Sequence, residues 1–222
     1  MERHFDEELM QLKQKLLQMA DRSQEMIGFA VKSLTERSQP HARRVFDLEE
    51  DVNHQEIEIE DAVLKLMALH QPAGGDLRFL TAVLKINNDL ERVADQAYNI
   101  GEISLRLLKE PPLKPLIDIP QMAKLAQTMI KQSLDALVRH DSGLAKKVCE
   151  SDDEVDRLNE QVFRELLTYM MEDPKSITRA VDLILVARNL ERIADHATNI
   201  SEDVVFIEQG KNIKHHHAAQ TP

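Results

Sequence analysis

Cysteine, glycine, proline and aromatic side chains are all scarce in this sequence, and each shortage removes a class of protein. The single cysteine, Cys149, has no partner for an internal disulfide and rules out a thiolate-rich zinc or iron–sulfur site; a reducing compartment, the cytoplasm, is expected. Six Gly and eight Pro among 222 residues, with 4% aromatics and no Trp, leave little turn chemistry for an all-β fold and favour helix. Basic residues are the minority: 28 Lys and Arg minus 39 Asp and Glu leaves a formal charge of −11, which argues against a binder of phosphate backbones, so nucleic acid is not an expected partner. Long apolar runs are missing too. The longest aliphatic stretch, Leu183 to Ala187, falls far short of a bilayer span, and no signal-peptide core is present, so direct membrane insertion is not expected.

What remains is helical periodicity. Between Phe5 and Glu208 apolar residues recur every three or four positions, and almost nothing alternates by two. Six helices are expected. The first carries Leu9, Leu12, Leu16, Met19, Ile27, Val31 and Leu34 and is closed by Pro40; the second runs from Val45 to Leu69 and stops at Gln71-Pro72-Ala73-Gly74-Gly75. Asp76 is the expected N-cap of the third, which continues to Leu108. The proline-dense stretch from Glu110 to Pro115 falls at mid-chain and marks a boundary, giving expected domains 1–110 and 111–222. Beyond it helices are expected at about Pro120–His140, Leu144–Met171 and Ser176–Glu208, followed by a polar tail with His215, His216 and His217.

The two halves repeat each other in letters. Asp89 to Ile100 lies against Asn189 to Ile200 with eight identities in twelve at an offset of one hundred, and Glu49 to Asn53 lies more faintly against Asp152 to Asp156 at an offset of 103. The expected fold class is therefore all-α: two tandem antiparallel three-helix bundles related by internal duplication.

The repeated segment carries the candidate chemistry. At about 100° per residue, Glu91, Asp95 and Asn99 share a stripe beside the small-residue seam of Asn87, Ala94 and Gly101; Glu191, Asp195 and Asn199 do the same in the second half. Carboxylates four apart repel, the more so when partly buried. No residue three or four positions from Glu91 is basic, so nothing on its own helix is expected to neutralise it, while Asp95 has Arg92 at i−3. Facing helices offer further oxygen pairs, Glu49 with Asn53 and Asp152 with Asp156. Oxygen ligands converging between helices suit hard cations such as magnesium or manganese, or iron. The competing reading, a charged face satisfied by arginines of adjacent helices, is weakened by the recurrence of the stripe in both halves.

Other chemistries lack support. A ferritin-like di-iron oxidase needs Glu-x-x-His pairs, and the nearest approach here is Asp51-x-x-His54. The histidines at 215–217 read as an untidy terminus, and Gly74-Gly75 lacks the Lys-Ser/Thr of a P-loop. A metal-cluster-dependent hydrolase or oxidase on the same acids is the alternative function that the residues leave open.

The segment Leu190 to Ile200, its counterpart Leu90 to Ile100, and Gln71-Pro-Ala-Gly-Gly-Asp-Leu-Arg78 resemble the PhoU family of bacterial regulators of phosphate uptake and phosphate signalling, over about Phe5 to Lys214. The resemblance implies a cytoplasmic protein, often a homodimer, without catalytic turnover. It further implies a multinuclear metal centre (iron, zinc, manganese or magnesium) on the acidic faces. The implied partners are the ATPase subunit of the phosphate ABC transporter and a phosphate sensor histidine kinase, with the starvation response held off when phosphate is ample. Carried over, the family's motif falls on Glu91, Asp95, Asn99, Glu191, Asp195 and Asn199, with Glu49, Asn53, Asp152 and Asp156 opposite. Ala94 and Ala194 stand where many relatives have Gly.

Overall fold

The computed structural model describes residues 2–213, so the histidine run at 215–217 lies outside the described residues. Its elements are α1 (Glu2–Thr35), α2 (Gln39–His70), α3 (Gly74–Leu107), α4 (Asp118–Arg139), α5 (Ser142–Glu172), a 3₁₀ turn at Pro174–Ser176, and α6 (Ile177–Gln209). No strand occurs among the described residues. The sequence is that of two antiparallel three-helix bundles, α1–α3 and α4–α6, as the periodicity predicts.

Two helix boundaries differ from the sequence reading. Pro40 does not close α1 but stands in the first turn of α2, where its missing N–H costs nothing because the first amides of a helix have no carbonyl to meet. The chain turns earlier, at Arg37, whose φ of 51° is left-handed, with the Ser38 amide donating back to the Ser33 carbonyl at 2.9 Å. Asp76 is likewise not an N-cap. Helix α3 starts at Gly74, whose φ of +58° suits a residue without Cβ, and Asp76 sits in the first turn, where its carboxylate faces the positive end of the helix dipole. By contrast Asp141 caps α5 in the usual manner, accepting from the amides of Gly143 and Leu144 at 3.0 and 2.9 Å.

Packing centres on α3 and α6. Helix α3 lies against α1 and α2, α6 lies against α4 and α5, and α3 and α6 pack on each other to join the halves. The apolar core runs unbroken through all six helices, and Leu90 and Leu190, at equivalent positions in the repeat, are each 0% exposed within it. Burying such a leucine contributes about 2 kcal/mol apiece. Ala94 and Ala194 are also buried, and a Cβ on Gly101 would come within 3.2 Å of the Phe46 ring, so at Gly101 the seam leaves no room for a larger side chain between α2 and α3.

Two ion pairs cross the α3–α6 seam, Lys85 with Asp203 at 3.3 Å and Arg106 with Asp182 at 2.8 Å, and His196 Nδ1 lies in hydrogen-bond contact with Asp89 at 2.8 Å. The proline-rich connection between α3 and α4 is pinned rather than free. The Arg37 guanidinium donates to the carbonyls of Leu107, Leu108 and Glu110, satisfying the open C-terminal end of α3; Arg179 donates to the Pro111 carbonyl, and Lys114 pairs with Glu165. Replacing Arg37 with Ala is expected to lower stability by about 1 kcal/mol, read as a drop in Tm of about 2–4 °C in a thermal melt followed by helical circular dichroism.

Candidate metal centre

Each acidic stripe lies on the face where two helices of a bundle meet. In the first half the α2–α3 register is set by Phe46 against Tyr98, ring centroids 4.6 Å apart, and by Asn87 donating to the Glu56 carbonyl at 3.0 Å. Glu49 and Asn53 on α2, and Glu91 and Asp95 on α3, fall between those two levels. Asn53 donates to the Glu49 carboxylate at 2.7 Å, and Asn99 is exposed at the end of the stripe. Burial pushes the Glu91 carboxyl above its ordinary range, the Asp95 and Glu56 charges push it further, and Arg92 opposes them.

Arg92 corrects one expectation. Its guanidinium reaches both Glu91 and Asp95 at 3.5 Å, so Glu91 is partly neutralised from its own helix after all. Helical spacing points to positions three and four away, but a long side chain at i+1 bends round to the neighbouring carboxylate when the next turn supplies a second acid on the same side. The structure also adds a residue outside the repeated motif. Glu56 lies one helical turn beyond Asn53, and burial, then Glu60, raises its carboxyl. Its position on the motif's own face of α2 was the available signal.

The second half carries more unbalanced charge. Helix α5 brings Asp152 and Asp156 against Glu191 and Asp195 of α6. Asp152 is half-buried, its Oδ1 has no hydrogen-bond partner, and its carboxyl is pushed up to about 6 by burial, then by Asp195, Asp156 and Glu191. Burial likewise raises Glu191 and Asp195, and in both the Asp156 charge adds to it. Arg188 and Arg192 soften the Glu191 shift from a distance, and His196 and then Arg192 soften that of Asp195, but among the described residues neither arginine closes an ion pair with Glu191 or Asp195, unlike Arg92 in the first half. Together they line an open groove of about 660 Å³ with Asp156, Phe163 and Ile184.

Not every predicted ligand points into that groove. The Asn199 amide donates to Asp89 of α3 at 3.3 Å, beside His196, so in this structure it belongs to the seam between the bundles. Cys149 offers no thiolate, since burial and then the charges of Glu202 and Asp152 raise its thiol to about 11. Among the described residues no three His, Cys, Asp or Glu side chains converge as a ready-made set of metal ligands. The donor chemistry nevertheless fits a hard cation: four carboxylates on two facing helices, mutually repelling, one with a buried oxygen left unpaired.

A duplicated six-helix chain whose two inner helices each carry a half-buried acidic stripe defines a class of helical protein recognised by its repeat. The PhoU domain model matches residues 16–104 and again 119–204, stopping and restarting on either side of the proline-rich connection. The chain belongs to the PhoU family. It is 41% identical over 210 residues to the phosphate-specific transport system accessory protein PhoU homolog of Aquifex aeolicus, covering 95% of each chain. It is 38% identical to PhoU homolog 2 of Thermotoga maritima, covering 98% of this chain and 92% of that one. The crystal structure of PhoU from Pseudomonas aeruginosa superimposes with a TM-score of 0.90 at 34% identity, covering 93% of this chain and all of that one. The phosphate transport system regulatory protein PhoU from Streptococcus pneumoniae superimposes with a TM-score of 0.86 at 27% identity.

Proposed function

We propose that this protein is an accessory regulator of phosphate uptake and of phosphate-starvation signalling. In this reading it is a cytoplasmic homodimer without catalytic turnover, an adapter between the ATPase subunit of a phosphate ABC transporter and a sensor histidine kinase, and it keeps the response off when phosphate is ample. The observation that carries the reading is the end-to-end likeness to proteins named as accessories of phosphate-specific transport. That no helix among the described residues is long and apolar enough to cross a membrane suits a protein that acts on a transporter from outside the bilayer.

The acidic faces are given a role by charge. A multinuclear centre of iron, zinc, manganese or magnesium, when bound, supplies the positive charge that the carboxylates lack. Asp152, Asp156, Glu191 and Asp195 would hold it in the second half, joined by Asn199 if its amide releases Asp89. The lesser candidate is the first-half set of Glu49, Asn53, Glu91, Asp95 and Asn99, which Arg92 already part-neutralises. What this chain's own residues do is hold two helices of a bundle at a fixed spacing and present the face between them.

Replacing Glu191 and Asp195 together with Ala tests both statements. In phosphate-rich medium a phosphatase-type reporter of the starvation response is expected to rise several-fold, while the purified variant keeps its helical content and releases its metal. An unchanged reporter with a folded variant would reduce the acidic face to a scaffold.

A further inference from the structure

The proline-rich connection does more than join the halves: together with them it encloses a cavity of about 250 Å³. Leu34 on α1, Leu107 on α3 and Leu183 on α6, all buried, supply walls from both bundles, and Leu113 and Leu116 of the connection lie over them. Protein interiors seldom keep a void of this size, because side chains shift to fill it. Here the covering strap is held off. Pro111, Pro112 and Pro115 stiffen it, Arg37 and Arg179 hold its carbonyls at Glu110 and Pro111, and Lys114 is tied to Glu165.

The charge around the cavity is one-sided. Its lining includes two cations, Arg37 and Lys114, and no Asp or Glu. Arg37 donates only to main-chain carbonyls, and among the described residues no carboxylate pairs with it. The Lys114 side chain is 6% exposed, and among the described residues its ammonium has Glu165 as its one hydrogen-bond partner. An ammonium carries three N–H donors. The remaining donors therefore lack a protein acceptor although the side chain is almost wholly buried, and a buried donor without a partner is costly. Two cations against the single carboxylate of Glu165 leave one positive charge in surplus beside apolar walls.

We infer that this cavity binds a small amphipathic monoanion, a carboxylate carried on an apolar ring or short alkyl chain. The carboxylate accepts from Lys114, and the apolar body lies against Leu34, Leu107 and Leu183. Size and charge select this class. A cavity of about 150 Å³ takes benzene, so this one takes a molecule of about ten non-hydrogen atoms. An organic cation meets like charge, and a neutral molecule leaves the surplus uncompensated. Inorganic phosphate has no apolar surface to bury against the leucines. Because the walls come from both bundles and from the strap between them, the bound anion ties the two halves together and stabilises the whole. The inference takes nothing from the adapter reading.

The test uses the full chain and three probes of the size the cavity sets: phenylacetate, its neutral analogue phenylacetamide, and the cation phenethylamine. In calorimetric titrations phenylacetate is expected to bind about tenfold tighter than the amide, because a hydrogen bond to a charged group is the stronger one. Phenethylamine is expected not to bind, and only phenylacetate should raise Tm clearly. Lys114→Met, which keeps the apolar stem, is expected to bring acid and amide to equal affinity. Glu165→Gln removes the competing carboxylate and is expected to tighten phenylacetate several-fold while leaving the amide unchanged, a gain that misfolding cannot imitate. In methyl-labelled protein, the ring protons of phenylacetate should show nuclear Overhauser contacts to the methyls of Leu34, Leu107 and Leu183. Equal affinity of acid and amide for the unaltered chain would overturn the inference. So would a preference that survives Lys114→Met, contacts to leucines elsewhere in the chain, or displacement of phenylacetate by an equal concentration of inorganic phosphate, which would make this a plain anion site.

Discussion

Leu190→Asp is expected to unfold the protein at ordinary temperatures. The leucine is fully buried in α6, at the centre of a core that runs without a break through both bundles. Truncating a buried leucine already costs about 2–5 kcal/mol, and an aspartate adds a polar group with no partner there, costing about another 1–3 kcal/mol. A domain of ordinary stability has only about 5–15 kcal/mol in total. Because the core is shared, the loss should appear as one cooperative transition displaced to lower denaturant, with the first half unfolding alongside the second. Leu190→Met, which keeps volume and apolarity, is expected to cost less than about 1.5 kcal/mol. A variant in which α4–α6 melts alone while α1–α3 stays folded would show that the two cores are energetically separate.

Asp152→Asn is expected to do the opposite in chelator and to stabilise. With its carboxyl raised to about 6 in the folded chain, Asp152 holds its proton more tightly folded than unfolded, where about 3.9 is usual. The folded state therefore binds more protons between those two values. Stability is full below about pH 4 and is lost as pH rises through about 6. A shift of this size corresponds to about 3 kcal/mol, and solvent screening at a half-exposed site reduces it to about 1–2 kcal/mol. At pH 8 the metal-free Asn variant should thus melt a few degrees above the parent and show a flatter stability curve between pH 4 and 6. Adding manganese should reverse the order, since the variant has lost one carboxylate ligand and gains less from the ion. A metal-free variant that melts lower than the parent at pH 8 would mean that the Asp152 charge is already compensated.

Most of the fold was legible because helical periodicity and the repeat are properties of the chain itself. The offset of one hundred located α3 and α6 and their inward acids without any three-dimensional information. Boundaries were less legible at Pro40 and Asp76. The reason is local: proline and aspartate both suit a helix's first turn as well as its flank, and the left-handed turn at Arg37 carries no glycine to announce it. In the site, the meeting of Asp152 and Asp156 with Glu191 and Asp195 follows from antiparallel packing of α5 on α6. The donation of Asn199 to Asp89 does not, because it depends on how one bundle is rotated against the other. Among the four positions at which the repeats differ, the changes from Asp89 to Asn189 and from Gln96 to His196 hinted that this line faces something new.

That difference extends along the whole α3–α6 seam. Lys85, Asp89 and Arg106 meet Asp203, His196 and Asp182, yet the positions equivalent to the first three in the second half are Leu185, Asn189 and Phe206, and those equivalent to the last three in the first half are Ile103, Gln96 and Ala82. Two copies of either half, fused head to tail, would bring no pair of opposite charges together along this line. The halves descend from one unit but have diverged along this line into complements, like the two members of a heterodimer that happen to share a chain.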